Sequence, residues 1–426
     1  MISNKKEWSV FQKISFRFIF VYFYLYINPF LISYLPYTES ITKFYYDTKR
    51  TMVLWIADAV FSLGELTYFP GGSGDTTYNY VQIFMYFVIA IFICVLWSIL
   101  DRKRKNYHTI LRFFRIYVSY YVAAYMFSYG FSKILYLQFS PPSFYRLLEP
   151  FGEASPMGIA WAFMGASKTY TMFSGFAELI AGILLLFRRT RTFGGLFVFA
   201  VMFNVFMLNM SYDIPVKLFS LHLVIMGLFI AMLDYKRIFN LIALKNPLKI
   251  DSVSGPYFKN RKMSLLATLL KATFIVYMSY LFLDSNMSYY KQKYQSPEPM
   301  LYGIYDVNTF IINKDTIAPL LTDEIRWKRF LRDKNFPNRI IIKGMNDQNR
   351  WYNYELDSIK NTVKIYKRQD STDVYNLHFI KSDSTLLFKG TWKNDSIQIN
   401  MDKFDLSKFH LTNREFRWIN EYPYNR

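Results

Sequence analysis

Tyr78 to Leu100 reads YNYVQIFMYFVIAIFICVLWSIL, without one charged residue. The run exceeds the ~20 residues that a helix needs to cross a bilayer. Outward from it lie six more apolar stretches, near residues 16–36, 113–136, 168–187, 192–209, 214–234 and 264–283. From about Asn286 to Arg426 the sequence turns polar and alternating. The pattern predicts an all-α polytopic membrane bundle of about seven transmembrane helices, followed by a soluble β-rich domain over 286–426.

The net charge of +20 first brings nucleic acid to mind, but its distribution points elsewhere. Residues 284–426 carry a net of only +5, and the apolar part carries the rest. Twenty basic residues of that part fall in four segments: 1–17, 101–115, the turn at Arg188, Arg189 and Arg191, and 235–262. Five fall between them: Lys43, Lys49, Arg50, Arg146 and Lys168. If seven helices cross, all four basic segments share one side. The positive-inside rule then makes the N-terminus cytoplasmic and the C-terminal domain periplasmic, in a bacterial inner membrane. The expected partner is the lipid bilayer, with no nucleic acid. Cys94 is the only cysteine, so an intrachain disulfide or CxxC redox pair is impossible. The first apolar run lacks a small-residue cleavage site and reads as a retained anchor.

Between the first two spans, Met52–Leu66 has Val53, Ile56, Ala57, Val60 and Phe61 at helical spacing. Trp55, Asp58, Ser62 and Glu65 take the other face. A short helix on the outer membrane surface is expected, ended by the turn Pro70–Gly74. In the loop 137–167, Pro141-Pro142 stops a helix. Ser155-Pro156 reads as an N-cap with proline at the first helical position. Met157–Met164 after it is too short to span, and an interfacial or re-entrant helix is expected. Gly175, Gly182, Gly194 and Gly195 permit close helix approach.

The polar tail reads as strands at Tyr302–Ile312, Arg339–Lys343, Arg350–Leu356, Thr362–Tyr366, Val374–Ile380, Thr385–Trp392 and Ser396–Met401. A helical piece is expected at Asp323–Leu331. Such a meander closes into a lipocalin-like half-barrel or a small barrel.

Charge within a membrane is costly, so each ionisable group there is a functional candidate. Glu178 stands in the middle of the fourth stretch, on a face with Thr171, Gly175 and Gly182. It must be protonated or paired, either for proton transfer or as a structural hydrogen bond. Lys133, Lys168, Asn209, Asp213 and Lys217 mark the outer ends of the core helices, with Arg146 and Glu149 in the loop. They could line a polar pocket for an anionic or quinone-like head group, or be snorkelling side chains. His222 and Asn204 lie deeper. His222 is about 140° from Lys217 around a helix and does not share its face. It could relay protons or be a satisfied structural histidine. Lys271 is expected to snorkel. Of the four histidines only His222 lies within a span, which argues against a bis-histidine haem or a histidine-rich intramembrane metal site. There is no P-loop, GxGxxG or GxSxG. Any redox role would therefore need a diffusible carrier or a partner subunit.

Tyr121–Asp234 resembles the DoxX-like family of bacterial integral membrane proteins. The resemblance rests on Tyr129-Gly130-Phe131-Ser132-Lys133, Pro150 to Ser155-Pro156, and Phe176-Ala177-Glu178 with Gly182. Leu208 through Lys217 and Ser220-Leu221-His222 complete it. It implies a four-helix core over 113–234, while the span pattern sets a hairpin over 1–112 before it and a basic loop and last helix over 235–285 after it. It also implies association with quinone-linked oxidoreductases, with Glu178 and His222 moving protons. Lys133, Asn204, Asn209, Asp213 and Lys217 would hold the head group. Three additional spans and the soluble tail lie outside that core. A looser similarity joins the chain to quinone-handling bundles of the vitamin-K-dependent carboxylase type. The residues leave open whether the protein is an enzyme. The alternatives are a non-catalytic anchor or envelope-stress scaffold whose β domain binds a partner or apolar ligand, and a transporter.

Overall fold

The structure is a computed structural model that describes residues 7–64, 66, 74–242, 260–367, 370–414 and 416–424. Outside them lie Glu65, Pro70–Ser73 of the expected turn, and the basic residues Lys5, Lys6, Lys245, Lys249 and Lys259. The helices are α1 Val10–Ile27, α2 Phe30–Ser33, α3 Glu39–Phe61, α4 Thr77–Leu100, α5 His108–Ile134, α6 Phe144–Leu147, α7 Pro156–Ala166, α8 Lys168–Leu186, α9 Arg191–Ser211, α10 Lys217–Met232, α11 Tyr235–Ile242, α12 Arg261–Tyr290 and α13 His410–Asn413. Two compact units result: Met1–Ile134 with Phe173–Asp284, and Leu135–Met172 with Ser285–Arg426.

In the helical unit, capping boxes start α1 (Ser9 with Gln12) and α4 (Thr76 with Asn79), satisfying N–H groups that have no partner within the helix. The core gathers Phe23, Val118, Val122, Leu185, Val198 and Met226. A Cβ on Gly195 would stand 2.9 Å from the carbonyl oxygen of Gly227, so only glycine lets α9 and α10 approach this closely. The surface helix expected over 52–66 is α3, which begins earlier, at Glu39, and buries Val53 and Ala57 beside Tyr78, Val81 and Met85 of α4. Val60 and Phe61, placed on its apolar face by spacing, are exposed.

Among the described residues, five helical stretches are long and apolar enough to cross a membrane: Val10–Ser33, Thr77–Leu100, Lys168–Leu186, Arg191–Ser211 and Arg261–Gln295. The expected seven is thereby corrected to five. The stretch 113–136 forms the 27-residue α5, but its arginines, Lys133 and many tyrosines make it too polar to qualify. The stretch 214–234 forms α10, whose 16 residues rise only ~24 Å at 1.5 Å each. Two polar clusters draw basic segments together near the start of α5. Arg17 donates to Tyr107 Oη (2.7 and 3.0 Å), Ser98 Oγ (2.8 Å) and the Asp101 carbonyl (3.1 Å). Arg115 stands 2.8 Å from the Asp234 carboxylate and donates to Thr192 Oγ1 at 3.0 Å.

In the second unit, nine strands run β1 Gly303–Ile312, β2 Asp315–Thr316, β3 Trp327–Arg332, β4 Arg339–Gly344, β5 Asn349–Asp357, β6 Thr362–Lys367, β7 Asp370–Lys381, β8 Thr385–Trp392 and β9 Asp395–Lys403. Each strand from β3 onward pairs antiparallel with the next, and β1 pairs with both β3 and β9. The result is a closed eight-stranded antiparallel barrel, with β2 as a short hairpin arm on β1. The small barrel is observed and the half-barrel is not: closure leaves the eight strands no open edge. The expected helix at Asp323–Leu331 is also corrected, because Trp327–Arg332 is β3. Trp327, Phe330 and Leu331 are spaced as on a helix because a bulge between Trp327 and Arg329 shifts the register. Trp327 and Phe330 therefore both face inward, while Leu331 faces out.

The barrel interior is filled with rings. Trp327 lies 5.1 Å from Tyr375 between centroids, Phe330 5.3 Å from Phe388, and Tyr352 5.9 Å from Tyr375. Outside, Ile304, Leu331, Ile341 and Trp351 form an apolar face covered by Phe144, Tyr145 and Leu148 and by Phe404 and Phe409. Asp333 Oδ2 accepts from the Phe144 N–H at 2.6 Å, and Lys343 Nζ donates to the Leu148 carbonyl at 3.2 Å. The segment 135–172 is thus built into the barrel unit. Within it Ser155 caps α7, with proline at its first position as expected.

Candidate functional site

The buried ion pair of the helical unit joins Lys133, in the last turn of α5, to Glu178, in the middle of α8. Local sequence places it. A Cβ on Gly175 would stand 2.8 Å from both the Gly130 carbonyl oxygen and Lys133 Cβ, so paired glycines bring the two backbones together. Lys133 then reaches Glu178 Oε1 directly. Both side chains are almost wholly enclosed, at 6% and 3% exposure. Glu178 Oε2 is buried and, among the described residues, without a hydrogen-bond partner. Such an orphan atom is unusual, because buried polar groups are normally satisfied. Tyr129 lies below, its ring centroid 5.7 Å from Lys133 Nζ. Aromatic contacts continue through Tyr125 (6.5 Å from Tyr129) and Phe219 (4.9 Å from Tyr125).

His222 has a separate setting. Its ring stacks on Tyr26 at 4.0 Å, its Nδ1 faces the Leu218 carbonyl at 2.6 Å, and its Nε2 is 2.8 Å from Tyr22 Oη. A carbonyl can only accept, so Nδ1 carries the proton. Nε2 of the neutral ring then accepts from the tyrosine. Both nitrogens are engaged, as in a satisfied structural histidine.

The expected outer belt divides into smaller groups. Lys217 Nζ is 2.9 Å from Asp213 Oδ1 and 3.9 Å from Asp75 Oδ2. Asp75 also accepts from the N–H groups of Lys217 (2.7 Å) and Leu218 (2.9 Å), capping α10. Asn209 Nδ2 donates to Ser220 Oγ at 3.0 Å. Asn204 is exposed on α9 and joins neither group. Lys168 is exposed at the start of α8, and Arg146 pairs with Glu149 in the barrel unit. Lys271 Nζ sits 4.0 Å above the Phe187 ring. The structure therefore unites Lys133 with Glu178, and Asp213 with Lys217. Sequence reasoning gave no site role to Asp75, Tyr129, Tyr22 or Tyr26. Asp75 follows the glycine-rich turn without periodicity, and the tyrosines read as ordinary apolar positions.

In the barrel, Asp373 accepts from Tyr352 Oη and Trp392 Nε1, each at 2.9 Å, and pairs with Lys367 at 3.1 Å. Desolvation raises its pKa, but these partners outweigh it and hold the carboxyl below its ordinary range.

No known family model matches the chain, and no solved structure matches it. Over 126 residues the chain is 30% identical to a protein of Bacillus subtilis (strain 168) described as Uncharacterized protein YwoB, covering 29% of this chain and 76% of that protein. On that coverage, the chain belongs to the family of YwoB.

Proposed function

We propose that the helical unit is a DoxX-like membrane bundle serving a quinone-linked oxidoreductase system, with Lys133 and Glu178 as its ligand site. The observation that carries this reading is the buried Glu178 Oε2, left without a partner beside a buried ammonium. The residues fit a quinone head group: Lys133 and Tyr129 would donate to a carbonyl oxygen, and Glu178 would hold or take a proton. A bound quinone would supply two-electron chemistry, with electrons exchanged through a partner subunit. His222, with both nitrogens engaged, would hold α1 against α10 rather than move protons. Asp213 and Lys217 would steady the mouth of the bundle.

The test is titration of the reconstituted protein with a short-chain quinone. Glu178→Gln should weaken binding by at least tenfold, a change of about 1.4 kcal/mol. Absent or unaltered binding would overturn the reading.

A second reading is a membrane anchor whose barrel binds a partner. The observation in its favour is the ring-filled barrel interior, which leaves the outer surface to do the binding. It predicts that Glu178→Gln is silent in cells while deletion of 297–426 abolishes function.

In either case we propose that the positive-inside rule sets the orientation. The basic clusters at Arg17 and Arg115 would then face the cytoplasm, with the barrel outside a bacterial inner membrane. In a Cys94→Ser background, an impermeant maleimide added to spheroplasts should label Ile359→Cys and spare Lys103→Cys. The reverse pattern would invert the topology.

A further inference from the structure

After the last barrel strand the chain forms a fold-back loop. Asn413 Nδ2 donates to the Leu406 carbonyl at 2.7 Å, and the Arg414 guanidinium lies 3.9 Å from the Tyr424 ring centroid. Arg414 also bonds Asn420 Oδ1 at 3.0 Å, and Tyr424 Oη lies 3.0 Å from His410 Nδ1. Held this way, the loop presents large apolar side chains to the outside. Phe416 is 76% exposed, Trp418 90%, Ile419 75% and Tyr422 83%. The rings of Phe416 and Trp418 touch edge to face at 5.0 Å. Scattered exposed apolar residues need no explanation, but a contiguous set on a fixed loop marks an interaction surface.

We propose that this loop, residues 410–414 and 416–424, inserts its aromatic side chains into the head-group region of the bilayer that carries the chain's own helices. Chemistry selects this occupant. Trp, Tyr and Phe are among the side chains favoured at membrane interfaces, where flat amphipathic rings sit among head groups. Tethering selects it too. Five helical stretches among the described residues are long and apolar enough to span a bilayer, so such a surface would be held at high effective concentration. The loop would give the barrel a contact with the membrane besides its chain connections.

The experiment uses the full chain in nanodiscs of phosphatidylethanolamine and phosphatidylglycerol, with Cys94→Ser removing the only native thiol. A nitroxide is attached at Trp418→Cys and, separately, at Tyr422→Cys. Ile359→Cys, on a β5–β6 turn residue that is 92% exposed, serves as the aqueous reference. Collisions with dissolved oxygen and with a water-soluble nickel chelate are compared by electron paramagnetic resonance. The expected result is loss of most nickel broadening at 418 and 422 relative to 359, with oxygen broadening increased. Nickel broadening equal to that at 359 would overturn the proposal. Shielding from both reagents would also overturn it, because the loop would then be covered by protein. Two labelled positions keep the test valid should one substitution disturb the loop.

Discussion

Lys133 and Glu178 show how an apolar helical interior treats charge. Neither could be buried alone, and together they still leave Glu178 Oε2 without a partner. Glu178 was legible as a candidate from its place in an apolar run. Its partner was legible only as a residue at a helix end, because the pairing depends on backbone approach at Gly130 and Gly175. Asn204 stands apart from the paired groups for a similar reason: position along a helix can be read from sequence, but the direction a side chain faces depends on packing. In the barrel, Asp373 carries a pH prediction. Its folded pKa lies below the unfolded value of about 3.9. Its contribution to stability is therefore complete above that value and is lost as pH falls through the folded pKa. Thermal melts of the full chain in detergent should show stability dropping below about pH 4. Asp373→Asn should flatten that acid limb, and an unchanged limb would show that Asp373 is not part of it.

Among elements, the barrel strands were largely legible. Seven of the eight were placed from alternation and turn residues, and β3 was lost to a bulge that gives its apolar residues helical spacing. The run Ile340-Ile341-Ile342 held a further clue. Three consecutive buried residues in one strand mean that both faces are covered, the outer one here by Phe144 and its neighbours. Between β7 and β8, a Cβ on Gly390 would stand 2.0 Å from the Asn376 carbonyl oxygen and 2.9 Å from Leu377 Cα. Backbone cannot yield as a side-chain tip can. Gly390→Ala should cost on the order of 3 kcal/mol in barrel stability. Gly152→Ala, with nothing within 4 Å of its Cβ, should be neutral in the same denaturation assay. Equal stability of the two variants would refute the close approach of β7 and β8.

At the scale of the molecule, the sequence separated an apolar helical part from a polar strand-rich part by composition, and the structure agrees. It did not reveal that residues 135–172 fold with the barrel, because docking of α6 depends on side chains presented by strands about two hundred residues away. Counting spans by apolar length took α5 and α10 as equals of the rest, whereas five stretches among the described residues are both long and apolar enough to cross. The central claim concerns what the helical unit holds. Its most direct test is mass spectrometry of lipids extracted from protein purified in mild detergent, compared with a Glu178→Gln variant that elutes as the same species. The account predicts a stoichiometric quinone in the native protein and its loss from the variant. Absence of quinone from both, or equal amounts in both, would contradict it.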